Sequence, residues 1–211
     1  VSRLMDGATA DILLTDPPYG IKRDKGFSGS CGFNGNKKRK PIMRRTYGDD
    51  WDSSRPSGDT FSQLTATAPL SIIFGGNFFA DLLPVSTHWL VWDKEQTMPT
   101  FGDCELAWTN SSRTSVALYK HTWNGLIGKE KERYHPTQKP VALFASILND
   151  YTDEGDIVFD PFLGSGTTLI AAEQLDRTCY GMEISPAYCD VIVERWEKLT
   201  GEKAKRPKRA D

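Results

Sequence analysis

The chain has 211 residues, of which 38% are hydrophobic, and a formal net charge of −2. That length and composition suit a single α/β domain with a sizeable core, and no apolar run approaches the roughly 20 residues of a membrane-spanning helix. Four cysteines without C-x-x-C spacing and three scattered histidines favour reduced structural thiols over a metal site, and the absence of a signal-peptide pattern predicts a cytoplasmic protein.

Hydrophobic periodicity predicts a strand-rich chain with helices between the strands. The predicted strands lie near residues 10–15, 70–74, 88–93, 104–109, 115–119, 156–160 and 178–183. The predicted helices lie near residues 60–68, 77–83, 140–150, 166–175 and 186–199. This alternation is typical of an α/β fold with a Rossmann-like, doubly wound sheet.

The first strand delivers a polar turn, Asp16-Pro17-Pro18-Tyr19, after the apolar run 10–14. Each proline lacks a backbone N–H, so the turn presents carbonyl oxygens and a carboxylate beside an aromatic ring. A turn that offers only acceptors next to a ring face suits a planar ligand with an exocyclic NH2 group. The same tetrapeptide also makes an ordinary turn after a strand, so it does not decide between the two on its own.

A basic segment follows this turn. Residues 22–45 contain nine Lys or Arg against the single acid Asp24, a local charge of +8. We expect these residues to neutralise the phosphates of a nucleic acid, and the alternative is a solvated loop. The nine are Lys22, Arg23, Lys25, Lys37, Lys38, Arg39, Lys40, Arg44 and Arg45. Two long connections, residues 20–60 and 110–134, are predicted to be recognition loops of a single domain spanning 1–211.

A second motif follows the strand 157–159. It begins with Asp160, continues through the turn Gly164-Ser165-Gly166 and leads into a helix, so its backbone can approach a ligand closely. The Rossmann dinucleotide fingerprint requires a third glycine where this chain has Leu169, and Asp160 would repel a pyrophosphate. Asp160 therefore favours a cationic group on the ligand.

The next strand ends at Glu183, seventeen positions after Gly166. An acidic side chain at this place can accept hydrogen bonds from both hydroxyls of a ribose. An amino group at Asp160 and a ribose at Glu183 describe S-adenosylmethionine better than NAD.

Three motifs in order carry a resemblance to a known family. Asp16-Pro17-Pro18-Tyr19 comes first, His135-Pro136-Thr137-Gln138-Lys139-Pro140 is similar to the family's H-P-T-Q-K-P segment, and Phe162-Leu163-Gly164-Ser165-Gly166 matches its F-x-G-x-G motif. The chain resembles the beta group of DNA amino-methyltransferases, which modify adenine N6 or cytosine N4. The resemblance implies the mixed-sheet fold of the class I S-adenosylmethionine-dependent methyltransferases, with a circularly permuted order of motifs.

The middle of the chain extends the likeness. Gly75-Gly76-Asn77, Asp93-Lys94 and the stretch 101–109 resemble phage and prophage members. The residues Val1 to Met5 resemble the helix that follows a Gly-Asp segment in the family, so we expect the sequence to be a piece of a longer protein.

The resemblance also implies roles for individual residues. The catalytic set is Asp16, Pro17, Pro18 and Tyr19. Asp16 and the Pro17 carbonyl would accept hydrogen bonds from the target amine, Tyr19 would stack on the base, and Asn77 would border its pocket. The cofactor set is Asp160, Phe162, Gly164, Ser165, Gly166, Thr167, Glu183, Thr137 and Lys139. For Phe162 the alternative is core packing, and for Lys139 it is a solvated helix start.

The expected activity is methylation of the N6 amine of an adenine in DNA, because aspartate at the first position of the catalytic motif mostly accompanies adenine in this family. The base must leave the duplex to reach such a cleft. The alternatives are a cytosine-N4 DNA methyltransferase, an adenine-N6 RNA methyltransferase, a non-catalytic DNA-binding relic and an NAD-linked oxidoreductase. The sequence leaves open a monomer or a homodimer.

Overall fold

The computed structural model describes residues 2–5, 7–21, 52–96, 102–122, 134 and 138–206. The nine basic residues between 22 and 45, and Thr137 of the predicted cofactor set, lie outside the described residues. Among the described residues, no helix has the length and apolar character needed to cross a membrane, and no three His, Cys, Asp or Glu side chains are grouped so that they could hold a metal ion.

A seven-stranded mixed sheet forms the centre of the fold, with the strand order β5-β3-β4-β2-β1-β6-β7. The strands are β1 Ile12–Thr15, β2 Leu70–Phe74, β3 Trp89–Asp93, β4 Cys104–Thr109, β5 Ala117–Lys120, β6 Ile157–Asp160 and β7 Thr178–Gly181. Each of the seven predicted strands is confirmed.

Strand direction decides which residues meet at the edge where β1 ends. β1 is parallel to β2 and β6, and β6 is parallel to β7, so the carboxyl ends of these four strands share that edge. β4 is antiparallel to both β2 and β3. The beginning of β4 therefore lies at the same edge as the ends of β1, β2 and β3.

Helices cover both faces of the sheet. The helices are α1 Ser2–Met5, α2 Gly58–Thr65, α3 Val141–Tyr151, α4 Thr167–Glu173 and α5 Pro186–Thr200. Ile12 and Leu14 of β1 point into a core that contains Phe144 of α3 and Ile170 of α4. Leu13 points to the opposite core, with Phe61 of α2. This alternation buries β1 on both faces, as a doubly wound sheet requires, and the predicted fold class is confirmed.

The prediction of a helix near residues 77–83 is wrong. The chain makes one 3-10 turn, Gly76–Phe78, after Gly75 adopts a left-handed conformation with φ +69°. Phe79 then turns inward and is fully buried against Phe61. Packing of this ring overrides the local helical pattern, because burying an aromatic side chain stabilises the fold more than a short helix does.

Two predicted loop ranges contain regular structure. The range 20–60 ends inside α2, which begins at Gly58, and the range 110–134 contains β5. The recognition roles assigned to these ranges stay predictions.

Candidate active site

The turn after β1 places a carboxylate and an aromatic ring together. The Tyr19 hydroxyl donates to Oδ1 of Asp16 at 2.6 Å. The Tyr19 ring stacks on Phe78, with centroids 4.7 Å apart and planes 18° apart. The Gly20 N–H donates to Oδ1 of Asp52 at 2.9 Å, which fastens the end of the turn. These contacts hold Asp16 and Tyr19 in one arrangement.

Lys139 approaches the same carboxylate from the chain segment that precedes α3. Its Nζ donates to Oδ2 of Asp16 at 2.5 Å and lies 3.4 Å from the Tyr19 hydroxyl. The side chain is only 7% exposed. Burial opposes the charged form, but the charges of Asp16 and Glu105 outweigh it and raise the pKa of Lys139. Lys139 is therefore a buried ammonium ion at the predicted catalytic residue.

Glu105, at the beginning of β4, extends this arrangement. Its Oε2 lies 3.2 Å from Nζ of Lys139, and its Oε1 lies 2.7 Å from Nζ of Lys94. Burial would raise the pKa of Glu105, yet the charges of Lys139 and Lys94 lower it to about 2. Asp16, Lys139, Glu105 and Lys94 form a row of alternating charges, which we call the charge row. Its formal charges sum to zero.

A cleft of about 260 Å³ opens beside this row. Its lining includes Tyr19, Asn77, Phe78, Lys94 and Glu105. Asn77, predicted to border the pocket of the target base, is thus in this cleft. The cleft offers a stacked aromatic pair on one side and charged groups on the other, which is the chemistry of a site for a planar polar ring.

The end of β6 holds a second carboxylate. Asp160 is 3% exposed. Its Oδ1 accepts from the Thr15 hydroxyl at 2.6 Å and from the Phe162 N–H at 3.0 Å, and its Oδ2 accepts from the Thr168 hydroxyl at 2.5 Å. Burial raises the pKa of Asp160 to about 6, although these donors lower it. Asp160 thus links Thr15, the last residue of β1, to Thr168 in the first turn of α4.

The glycine turn between β6 and α4 has two residues with positive φ. Gly164 and Gly166 adopt φ values of +54° and +86°, in the left-handed region that favours glycine. A side chain at Gly166 would also meet Ile192 of α5 at 3.0 Å. Arg195 of α5 donates to the Ser165 carbonyl at 2.6 Å and secures the turn from behind. The Thr167 hydroxyl donates to the Lys139 carbonyl at 3.3 Å, which ties this turn to the charge row.

Glu183, two positions after β7, lies across the same turn. Its Oε2 accepts from the Gly164 N–H at 2.9 Å, and its Oε1 accepts from the Ser185 N–H at 2.7 Å. The neighbouring Met182 and Ile184 are 42% and 97% exposed. A carboxylate flanked by exposed apolar side chains can bind hydroxyl groups while the apolar side chains cover a ring.

The structure brings most of the predicted residues to one edge of the sheet, in two groups. In the first group, Tyr19 lines the cleft and is hydrogen-bonded to Asp16, and Pro17 and Pro18 connect these two residues in the chain. The second group is the glycine turn with its neighbours: Asp160, Phe162, Gly164, Ser165, Gly166, Thr167 and Glu183. Phe162 is half-buried against the core that contains Phe61, so its packing alternative stays open. Lys139, predicted in the cofactor set, has its ammonium on Asp16.

Several residues of the site were not predicted from the sequence. Glu105 and Lys94 complete the charge row, Phe78 supports Tyr19, and Arg195 supports Ser165. Glu105 had one available signal, because it is the single charged residue of β4 and lies near the start of that strand. That signal is weak without knowledge of the direction of the strand.

Comparison with known proteins decides the family. A family model described as DNA methylase, for enzymes of the N6 and N4 type, matches residues 79–194. The chain belongs to this DNA methylase family. The predicted resemblance to the amino-methyltransferases is thereby confirmed, whereas the likeness to phage members stays a prediction. Enzymes of this family use S-adenosylmethionine as the methyl donor.

Similar proteins are named as methyltransferases. The chain is 29% identical over 130 residues to the Type II methyltransferase M2.MboI of Moraxella bovis, covering 59% of this chain and 46% of that protein. It is 40% identical over 81 residues to the Type II methyltransferase M2.DpnII of Streptococcus pneumoniae, and the match covers 37% of this chain and 30% of that protein. The matched part thus spans less than half the length of these two relatives. M.HpaI of Haemophilus parainfluenzae is 24% identical over 223 residues, covering 88% and 67%.

Solved structures show the same fold. The M1.HpyAVI-SAM complex superposes with a TM-score of 0.55 and 23% identity, covering 90% of this chain and 91% of that one. The cytosine-N4-specific PvuII DNA methyltransferase superposes with a TM-score of 0.54 and 15% identity, covering 92% and 84%.

Proposed function

We propose that this chain transfers the methyl group of S-adenosylmethionine to the N6 amine of an adenine that has been flipped out of DNA. The observation that carries the proposal is the hydrogen-bonded pair of Asp16 and Tyr19, 2.6 Å apart, at the end of β1. β1 lies between β6, which leads into the glycine turn, and β2, which leads to the cleft. This position between the glycine turn and the cleft supports a role for the pair in bringing a methyl donor and an amine acceptor together.

The carboxylates at this edge fit the donor. Asp16, Asp160 and Glu183 follow or end the adjacent strands β1, β6 and β7, and they favour a ligand that carries positive charge. S-adenosylmethionine, when bound, supplies a methyl group activated by its sulfonium. We assign the ribose hydroxyls to Glu183 and the methionine part to Asp160 and the turn 164–167. Phe162 would pack against the donor.

The catalytic residues act by positioning and electrostatics. The exocyclic amine of adenine is a poor nucleophile because its lone pair is delocalised into the ring. Asp16 and the Pro17 carbonyl accept hydrogen bonds from this amine and favour a nitrogen whose lone pair points at the methyl group. When bound, S-adenosylmethionine would give up its methyl group to the nitrogen and leave as a neutral thioether, and Asp16 would accept the proton that the nitrogen loses. The Tyr19 ring, already supported by Phe78, stacks on the base.

Aspartate at the first position of the catalytic motif mostly accompanies adenine in the resembled family, and Asp16 therefore supports adenine over cytosine as the target. We also assign phosphate contacts to the basic residues between 22 and 45, whose charge of +8 directly follows the catalytic turn in the sequence. Binding of DNA is therefore expected to weaken steeply as the salt concentration rises.

The test is transfer of labelled methyl from S-adenosylmethionine to duplex DNA, single-stranded DNA and RNA, followed by nucleoside analysis. The matched variants are Asp16→Asn at the site and Asp190→Asn on the exposed face of α5. We expect N6-methyladenine in DNA from the wild type and from Asp190→Asn, and a loss of roughly 100-fold or more from Asp16→Asn. N4-methylcytosine, or label only in RNA, would replace the proposed substrate. No transfer to any nucleic acid would contradict an autonomous enzyme.

A further inference from the structure

The charge row poses an electrostatic problem for the proposed reaction. Methyl transfer moves positive charge from the donor sulfur to the target nitrogen, which lies against Asp16. Lys139 already places an ammonium ion 2.5 Å from Oδ2 of Asp16. A cation this close opposes a second positive charge at the same carboxylate, and the opposition is strong in a buried site, where water screens charges poorly.

Glu105 offers the second carboxylate that this ammonium needs. Nζ of Lys139 has three oxygen neighbours, on Asp16, Glu105 and Tyr19, at 2.5, 3.2 and 3.4 Å. The contact with Oε2 of Glu105 is an ion pair without hydrogen-bond geometry. Lys139 therefore lies between two carboxylates that come from distant parts of the chain. A small movement of its long side chain toward Glu105 would free Oδ2 of Asp16 for the target amine.

Lys94 keeps Glu105 in place for this role. It contacts Oε1 of Glu105 at 2.7 Å, on the oxygen that does not face Lys139. Oε2 consequently points toward the catalytic residue. Lys94 also lies over the Trp92 ring, 5.2 Å from its centroid. The outer end of the charge row is therefore fixed.

We propose that Glu105 is a positioning residue for methyl transfer, which acts by holding and neutralising the ammonium of Lys139 so that Asp16 can accept the target amine. This rests on the proposed function of the Asp16 site. Glu105 does not touch the reacting atoms, and its whole effect passes through Lys139. Removing Lys139 must then remove the influence of Glu105.

The kinetic test is a double-mutant cycle with Glu105→Gln and Lys139→Met, both close in shape to the native side chains. We expect Glu105→Gln to lower kcat roughly 10-fold or more and to leave the KM for S-adenosylmethionine unchanged. Whatever the kcat of Lys139→Met, we expect the double variant to match it within about two-fold, because Glu105 acts only through Lys139. Glu197→Gln, which removes a carboxylate from the surface pair with Lys203, is the control and should behave as wild type.

A second readout needs no substrate. The Lys139 ammonium is followed by NMR in protein labelled at the lysine ε-carbon, with Lys139→Met assigning the signal. We expect Glu105→Gln to lower the pKa of Lys139 by roughly one unit, because one of two flanking carboxylates is lost. Glu197→Gln should leave this pKa unchanged.

Each outcome decides the proposal. Wild-type kcat in Glu105→Gln, or single-variant effects that multiply in the double variant, would overturn it while leaving the proposed function intact. An unchanged pKa of Lys139 in Glu105→Gln would also overturn it, whether or not the enzyme turns over. If the wild type itself transfers no methyl group, the proposed function fails, and the positioning role of Glu105 in methyl transfer fails with it.

Discussion

The ring of Tyr19 lies directly against the backbone of Gly75. A β-carbon at position 75 would come within 2.6 Å of Cζ of the tyrosine, and Gly75 also has the left-handed φ of +69°. Gly75, the first residue after β2, therefore determines how closely the Tyr19 ring can pack against the end of that strand. Glycine at 75 is required for space as well as for backbone conformation.

Gly75→Ala should displace Tyr19 and separate its hydroxyl from Asp16. We expect methyl transfer to fall roughly 100-fold, because a shift of about 1 Å at a catalytic group has effects of this size. Gly155→Ala is the control, since Gly155 has a similar φ of +87° and open space around it. It should cost about 1 kcal/mol of stability and leave turnover unchanged. Equal activity losses in the two variants would show that backbone strain, and not the tyrosine, is responsible.

Strand direction explains why the sequence predicted Asp16 and Asp160 as site residues but did not predict Glu105. Residues that follow parallel strands, such as Asp16 and Asp160, meet at one edge by rule, so their motifs sufficed. Glu105 reaches the same edge only because β4 is antiparallel, and the apolar pattern of a strand does not encode its direction. The contact of Lys139 with Asp16 spans 123 positions and depends on how α3 packs. No local pattern carries that information.

Burial of Asp160 should make donor binding depend on pH. The pKa of its carboxyl is raised to about 6, and a cationic ligand selects the ionised form. Affinity for S-adenosylmethionine should therefore fall as the pH drops below about 6, by up to roughly tenfold per pH unit. Calorimetric titration between pH 5 and about 8 measures this. Asp160→Asn should bind weakly at every pH, and an unchanged pH profile in that variant would assign the titration to another group.

The Asp160 carboxyl should also make folding stability depend on pH. Stability should fall as the pH rises, whereas affinity for the methyl donor should increase. The pKa of Asp160 in the folded protein, about 6, exceeds the ordinary value of 3.8, so the folded state binds more protons than the unfolded state between these values. Stability due to Asp160 is therefore present below about pH 4 and is lost as the pH rises through 6, by on the order of 3 kcal/mol. Urea unfolding of the wild type and of Asp160→Asn, measured at about pH 4 and again above about pH 6, tests this. A difference between the two proteins that does not change with pH would contradict it.

Glu183→Gln should weaken binding of the methyl donor. The amide keeps one acceptor for the Gly164 or Ser185 N–H but loses the charge that strengthens hydrogen bonds to ribose hydroxyls. We expect the Kd for S-adenosylmethionine to rise roughly 10- to 100-fold. Glu194→Gln, on the exposed side of α5, should bind as wild type does. If Glu183→Gln binds S-adenosylmethionine with wild-type affinity, the assignment of the ribose hydroxyls to Glu183 is wrong.

Arg195→Lys should loosen the glycine turn from a distance. Arg195 is 8% exposed, bonds the Ser165 carbonyl at 2.6 Å and lies over the Tyr134 ring at 4.9 Å. Lysine keeps the charge but loses the planar group that makes both contacts. We expect a loss of about 2 kcal/mol in the free energy of unfolding and weaker donor binding, measured by urea denaturation and calorimetry. Stability lost with donor affinity unchanged would limit Arg195 to a role in the fold.

The pairing of β1 with β6 joins segments that lie far apart in the chain. The segment up to β5 carries the proposed acceptor side, and the segment from Lys139 onward carries the glycine turn, Glu183 and the ammonium that reaches Asp16. Their reunion depends on the parallel pairing of Ile12 with Val158 and Leu13 with Phe159 and on the cores on either side. A cut between residues 122 and 134 would therefore give two inactive fragments, and regained methylation on mixing them would report their reassembly.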